Sequence, residues 1–79
     1  MGERVVKVFS TPVCPTCHRA KDFLKLNNID FEDIDVAEDE ISAMIMVQLT
    51  GQRSVPVIQV DGNVIVGFDE SALKNALLI

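Results

Sequence analysis

Several scarcities in this sequence set limits on what it encodes. Lysine and arginine number only seven against twelve acidic residues, a net charge of −5. That balance argues against nucleic acid or an anionic membrane as the main partner. No apolar run approaches the length of a membrane span or a signal core: Met1-Gly2-Glu3-Arg4 leads straight into the short run Val5-Val6-Lys7-Val8-Phe9, and the compartment expected on that basis is the cytoplasm. Long polar, Pro/Gly/Ser-rich, repetitive or low-complexity stretches are missing too, so residues 1–79 are expected to form one domain. There are only two cysteines and one histidine, short of the roughly four ligands of a closed zinc site. The two cysteines lie three residues apart, and the loop they would close is too short to constrain the unfolded chain much. A domain this small buries only ~60% of its unfolded surface, so stability has to come from packing. The cysteine pair is left for chemistry. Where thiols stay reduced, such a pair is catalytic or metal-binding rather than structural.

What is present reads as alternating strands and helices. Arg4 to Phe9 is Val-rich, too short for a helix, and stopped by Ser10-Thr11-Pro12, which predicts a buried strand. From Cys14 to about Asn27 the period is helical. Cys17, Ala20, Phe23 and Leu24 share one face, and Arg19, Lys21, Asp22 and Lys25 point away. Pro15 suits the first turn, where its missing N–H needs no partner. Phe31 to Val36 alternates apolar and acidic residues, as an edge strand does. The acidic stretch Asp30, Glu32, Asp33, Asp35, Glu38, Asp39 and Glu40 then reads as a solvated edge and helix start. Glu38 to Thr50 forms a second helix with Ile41, Met44, Ile45 and Leu49 on one stripe and Gly51 as its stop. Met46 and Val47 fall off that stripe, so the helix is expected to be buried on more than one side, with an exposed contact patch as the less favoured alternative. Val55–Val60 and Asn63–Gly67 pair as a hairpin around Asp61-Gly62, and Asp69 caps a last helix carrying Leu73, Ala76 and Leu77. The order is β-α-β-α-β-β-α: an α/β fold whose first two strands are parallel and whose hairpin adds an antiparallel pair.

Cys14-Pro15-Thr16-Cys17 falls where the first strand gives way to the first helix. A thiol at a helix N-terminus lies near unpaired N–H groups and the positive end of the dipole, both of which favour the thiolate. The thiolate is the nucleophile, and Cys-x-x-Cys thiols at such ends ionise well below the usual ~8.5. A three-residue spacing on a helical turn also brings the second sulfur within bridging distance. Cys14 is therefore the expected attacking thiol and Cys17 the resolving one. Four other readings compete with this one. Cys14 to His18 is literally Cys-x-x-Cys-His, the string of covalent haem attachment, but that chemistry belongs mainly to exported, largely helical chains. A bridging metal or iron–sulfur cluster held between two copies through Cys14 is a minor possibility, and no metal site is expected within one chain. A disulfide-forming oxidant is disfavoured by the expected compartment, and inert cysteines by the β-α setting. His18 reads as an exposed helix residue.

The pattern Cys-Pro-Thr-Cys, then Gly51-Gln52-Arg53-Ser54-Val55-Pro56, then Asp61-Gly62, then Gly67-Phe68-Asp69 resembles a glutaredoxin over essentially the whole length. The resemblance implies a thioredoxin-like fold of the glutaredoxin type, a four-stranded mixed sheet with three helices, and a dithiol–disulfide oxidoreductase acting on protein or glutathione mixed disulfides. It also implies a cis Val55–Pro56 peptide beside the cysteine loop, with the Val55 backbone pairing an incoming cysteine peptide or glutathione like an added strand. Further substrate contacts are implied for Thr11, Pro15, Thr16, Arg53, Gly67, Phe68 and Asp69. No tightly bound cofactor follows from it. The external electron donor would be glutathione or a flavoprotein such as thioredoxin reductase, and a monomer is expected. Three positions depart from the common pattern: Thr11 replaces a frequent Lys, Thr16 a frequent Tyr, and Val66-Gly67 the usual Gly-Gly. Gly67-Phe68 instead resembles the redoxins that carry electrons from thioredoxin reductase to ribonucleotide reductase.

Overall fold

The computed structural model describes residues 4–79. The elements are β1 (Val6–Ser10), α1 (Pro15–Leu26), β2 (Glu32–Asp35), α2 (Glu40–Thr50), β3 (Val57–Val60), β4 (Asn63–Val66) and α3 (Glu70–Leu77), in the expected order. The sheet runs β2-β1-β3-β4. β1 pairs parallel with β2 and antiparallel with β3, and the hairpin pairs β3 with β4. The acidic strand is therefore an edge. Element ends differ from the expectation by at most two residues. β1 extends to Ser10 because the parallel register continues to Ser10 opposite Asp35. α2 begins two residues late because Asp39, in extended backbone, caps it by accepting the Ile41 and Ser42 N–H groups.

Alternation along the strands sends side chains to two unequal faces. On one side Val6, Val8, Ile58, Val60 and Ile65 meet Ala20 and Leu24 of α1 and Leu73 and Leu77 of α3. On the other, Phe9 and Val57 are covered by α2 through Met46 alone among that helix's fully buried residues. The tight Asp61-Gly62 turn, with Asp61 at φ 53°, joins β3 to β4, and Gly51 stops α2 at φ 76°.

Two side-chain assignments need correction. The α2 stripe Ile41, Met44, Ile45 and Leu49 does not face the core. Ile41 is 71% and Met44 63% exposed, whereas Met46 is 2% exposed. Apolar residues cover nearly the whole circumference of α2, so the stripe alone cannot tell which side meets the sheet. Lys21 does not point into solvent either: its stem is mostly buried and its ammonium is paired with Asp33.

Met46→Ala should cost about 2–4 kcal/mol of stability by opening a cavity against Phe9 and Val57, whereas Ile45→Ala should cost under ~1 kcal/mol. Urea-unfolding midpoints of the two variants check this. Equal losses would contradict the orientation of α2.

Candidate active site

The site sits at the carboxyl end of β1. That strand finishes at Ser10, Thr11 to Val13 turn outward, and α1 begins at Pro15 with Cys14 as its N-cap, in extended backbone (φ −105°, ψ 108°). The cap is made by sulfur: the Cys17 N–H donates to Cys14 Sγ at 3.1 Å. The first turn of α1 thus directs one of its unpaired N–H groups and its positive dipole end at the sulfur, an arrangement that stabilises negative charge there. Cys14 is partly exposed and Cys17 fully buried, and both are free thiols.

Burial distinguishes the two thiols. Burial is the main cause that pushes the Cys17 thiol up to about 11. A hydrogen bond to Cys14, and that residue's charge, act in the same direction, while the Thr11 N–H and the Lys21 ammonium act against it. The outer sulfur is the one a substrate can reach. The inner sulfur keeps its proton.

Beneath the cysteines lies a polar group that sequence reasoning missed. Ser10, only 2% exposed, donates its hydroxyl to Asp33 Oδ1 at 2.8 Å. Lys21 Nζ donates to Asp33 Oδ2 at 2.9 Å and to Ser10 Oγ at 3.3 Å. Burial alone would raise the Asp33 carboxyl, but these hydrogen bonds outweigh it and hold the group below its usual range. The available signal was Lys21 lying one turn beyond Cys17, on the side of α1 that meets β2. His18 Nε2 lies 3.1 Å from the Pro12 carbonyl. Since a carbonyl only accepts, Nε2 carries the proton, and the bond ties the turn before Cys14 to α1.

Strand pairing gathers most of the other candidate residues at the same end of the sheet. Phe9 lies opposite Val57, so continuing the antiparallel register carries Thr11 toward Val55. The Val55–Pro56 peptide is cis. Pro56 is buried, and Val55, partly exposed, precedes the ladder that starts at Val57, leaving its main chain outside the paired backbone. The Gly67 N–H donates to the Pro56 carbonyl at 2.8 Å, which brings the end of β4 alongside. Gly67 has φ 82°, and a Cβ there would meet nothing within 4 Å. Backbone conformation, not crowding, calls for glycine, and the surface in front of it is open. Asp69 Oδ1 accepts the Ala72 N–H as the α3 cap. Phe68 is half-buried with its ring 5.8 Å from that of Phe23, so it anchors this turn to α1. Pro15 is exposed and Thr16 partly so on the first turn of α1; Arg53 is exposed in the bend after α2.

Residues 6–65 match the Glutaredoxin family. The chain is 46% identical over 73 residues to an uncharacterized glutaredoxin-like 8.6 kDa protein in the rubredoxin operon of Clostridium pasteurianum, spanning 92% of this chain and 97% of that one. It is 29% identical over 65 residues to glutaredoxin 3 of Escherichia coli, spanning 82% and 78%. Among solved structures, the glutaredoxin of Archaeoglobus fulgidus is similar with a TM-score of 0.85 at 28% identity, over 96% of this chain and 88% of that one.

The folded protein holds the Cys17 proton more tightly than the unfolded chain. The stability this confers is present below pH 9.0 and is lost as the pH rises through about 11. Iodoacetamide should accordingly modify Cys14 at about pH 8 while leaving native Cys17 unmodified until the pH nears about 11 or the chain unfolds. Mass spectrometry of the alkylated protein checks this, and equal labelling of both thiols at the lower pH would refute it.

Proposed function

Because this chain belongs to the glutaredoxin family, with its thioredoxin-like fold and thiol–disulfide oxidoreductase activity, we propose that it reduces protein and glutathione mixed disulfides through Cys14 and Cys17, in a reducing compartment such as the cytoplasm. The observation that carries this reading is the 3.1 Å hydrogen bond from the Cys17 N–H to Cys14 Sγ, with Cys17 sealed beneath it.

The Cys14 thiolate attacks one sulfur of the substrate disulfide. A mixed disulfide forms and the other substrate sulfur leaves as a thiolate that takes up a proton. Two of the three causes that keep Cys17 protonated are its hydrogen bond to Cys14 and the charge on Cys14. Both disappear once that sulfur is tied up in the mixed disulfide. The Thr11 N–H and Lys21 still favour a Cys17 thiolate, so the first step readies the second. Cys17 then attacks Cys14 Sγ, the second substrate thiol departs, and the internal disulfide remains for an external two-electron donor. Cys14 and Cys17 belong to the same chain, so the proposed cycle needs no second copy.

Glutathione is the proposed donor. The open main chain at Val55 accepts its cysteine peptide as an added strand. Thr11, Thr16 and Pro15 flank the sulfur. Arg53 supplies the cation for a glutathione carboxylate, and the Gly67-Phe68-Asp69 turn supplies a close backbone approach beside the start of α3. A second reading, electrons from thioredoxin reductase, is favoured by Thr11, a neutral residue where a cation would help hold glutathione, and by the Gly67-Phe68 pair.

Cys14→Ser should lower disulfide reductase activity by at least ~10³-fold, whereas Cys17→Ser should accumulate mixed disulfides visible on a non-reducing gel. A fully active Cys14→Ser protein would end the mechanism. NADPH should be consumed when the oxidised protein is mixed with glutathione and glutathione reductase. Consumption only with thioredoxin reductase would establish the second donor instead.

A further inference from the structure

The outward side of α2 is largely apolar, with Gln48 its one exposed polar side chain beyond Glu40, and is unaccounted for by the redox chemistry. Ile41, Met44, Ile45 and Leu49 are 71%, 63%, 47% and 40% exposed. After Glu40 the helix contains no charged residue. A helix apolar on all sides is ordinarily buried. Charge is confined to its two ends: Glu40 at the start and Arg53 just beyond the stop line one groove along the helix, with Ala43, Met44 and Val47 between them. Neither is among the ion pairs found in the described residues, which join Lys21 to Asp33 and Lys74 to Glu70.

We propose that this face pairs with the same face of a second copy, α2 against α2 and antiparallel, about a two-fold axis at the helix midpoint. An isologous contact places the same patch on both sides, so the patch has to complement itself when reversed. This one does. With the axis beside Ile45, that residue meets its own copy and Ile41 meets Leu49 of the second copy. In an antiparallel pair about such an axis, like flanks lie together. The flank bearing Glu40 therefore faces the flank bearing the second copy's Arg53, and the contact is closed by two symmetric ion pairs. The opposite orientation would set Glu40 against Glu40 and Arg53 against Arg53. A neutral seam with opposite charges at its ends thus selects both the partner and the direction.

The net charge of −5 opposes self-association only weakly at physiological salt, where exposed charges more than ~8 Å apart are largely screened. The contact is small. Eleven residues make a helix about 16 Å long, which buries less than the ~800 Å² per partner of a standard interface. The dimer is therefore weak; it leaves Cys14 and Cys17, on the helix across the sheet, untouched, but its ion pairs engage the same Arg53 proposed above to hold a glutathione carboxylate.

Sedimentation equilibrium of the reduced full chain at ~0.15 M salt, from ~10 µM to ~1 mM, tests the proposal. The apparent mass should rise from one chain toward two over that range. Ile45→Glu, with unchanged far-UV circular dichroism, should stay at one chain throughout. E40R should weaken association at least ~10-fold, and the double variant E40R/R53E should return it to within ~3-fold of the starting protein, since the ion pairs are restored in reversed polarity. A wild-type chain that stays monomeric at the highest concentration would overturn the proposal and leave the face to a different protein. Ile45→Glu that still dimerises, or a double variant no better than E40R, would overturn this geometry.

Discussion

Much of this structure follows from one hydrogen bond, the backbone N–H of Cys17 held on the sulfur of Cys14. The three helices are each capped at the same point, and two of them use carboxylates, Asp39 and Asp69. Only α1 uses a thiol. Oxygen caps stabilise a helix start by about 1 kcal/mol relative to residues without a capping group. Sulfur is a weaker acceptor, so α1 forgoes part of that stabilisation and carries a thiol in the place where an oxygen cap would be. The same three-residue spacing that satisfies the cap sets the second cysteine on the inward face of α1, under Cys14 and against the sheet. Position in the helix and burial are one constraint seen at two levels.

Beneath that bond the protein uses polarity sparingly. The Ser10, Asp33 and Lys21 group satisfies a buried hydroxyl, a carboxylate and an ammonium together. Among the described residues no buried side-chain nitrogen or oxygen lacks a partner, as stable interiors require. The pairing also ties α1 to the edge strand β2, so the helix bearing both cysteines is fixed to the sheet on its far side by charge as well as by Ala20 and Leu24.

The sequence made the path of the chain legible because each boundary had its own chemical mark: Pro15 at a first helical turn, Gly51 at a helix stop, Asp61-Gly62 at a hairpin, Asp69 at a cap. The cysteine helix was legible for the same reason. Orientation proved harder where pattern was degenerate. In α2, Ile41, Met44, Ile45, Met46, Val47 and Leu49 leave no polar face to mark the outside, and only the packed position of Met46 on Phe9 and Val57 resolves it. Lys21 and Asp33 looked like ordinary surface charges because they are twelve residues apart, and their meeting depends on the parallel pairing of β2 with β1, a tertiary fact. The cis peptide at Val55–Pro56 was expected from resemblance, since nothing local to those two residues dictates it.

The unequal covering of the sheet has a mechanical consequence. Two helices and their shared core clamp the face that carries α1, whereas α2 is held to the opposite face by a single fully buried side chain. Segments with so few buried apolar contacts open at lower free energy than the rest of a fold. The Gly51–Pro56 segment joins α2 to β3, its far end held by buried Pro56 and the hydrogen bond from Gly67, while the cysteines ride on the clamped helix. The two cysteines therefore keep their spacing and burial when α2 loosens, and the give in this fold is concentrated on the face opposite the thiols.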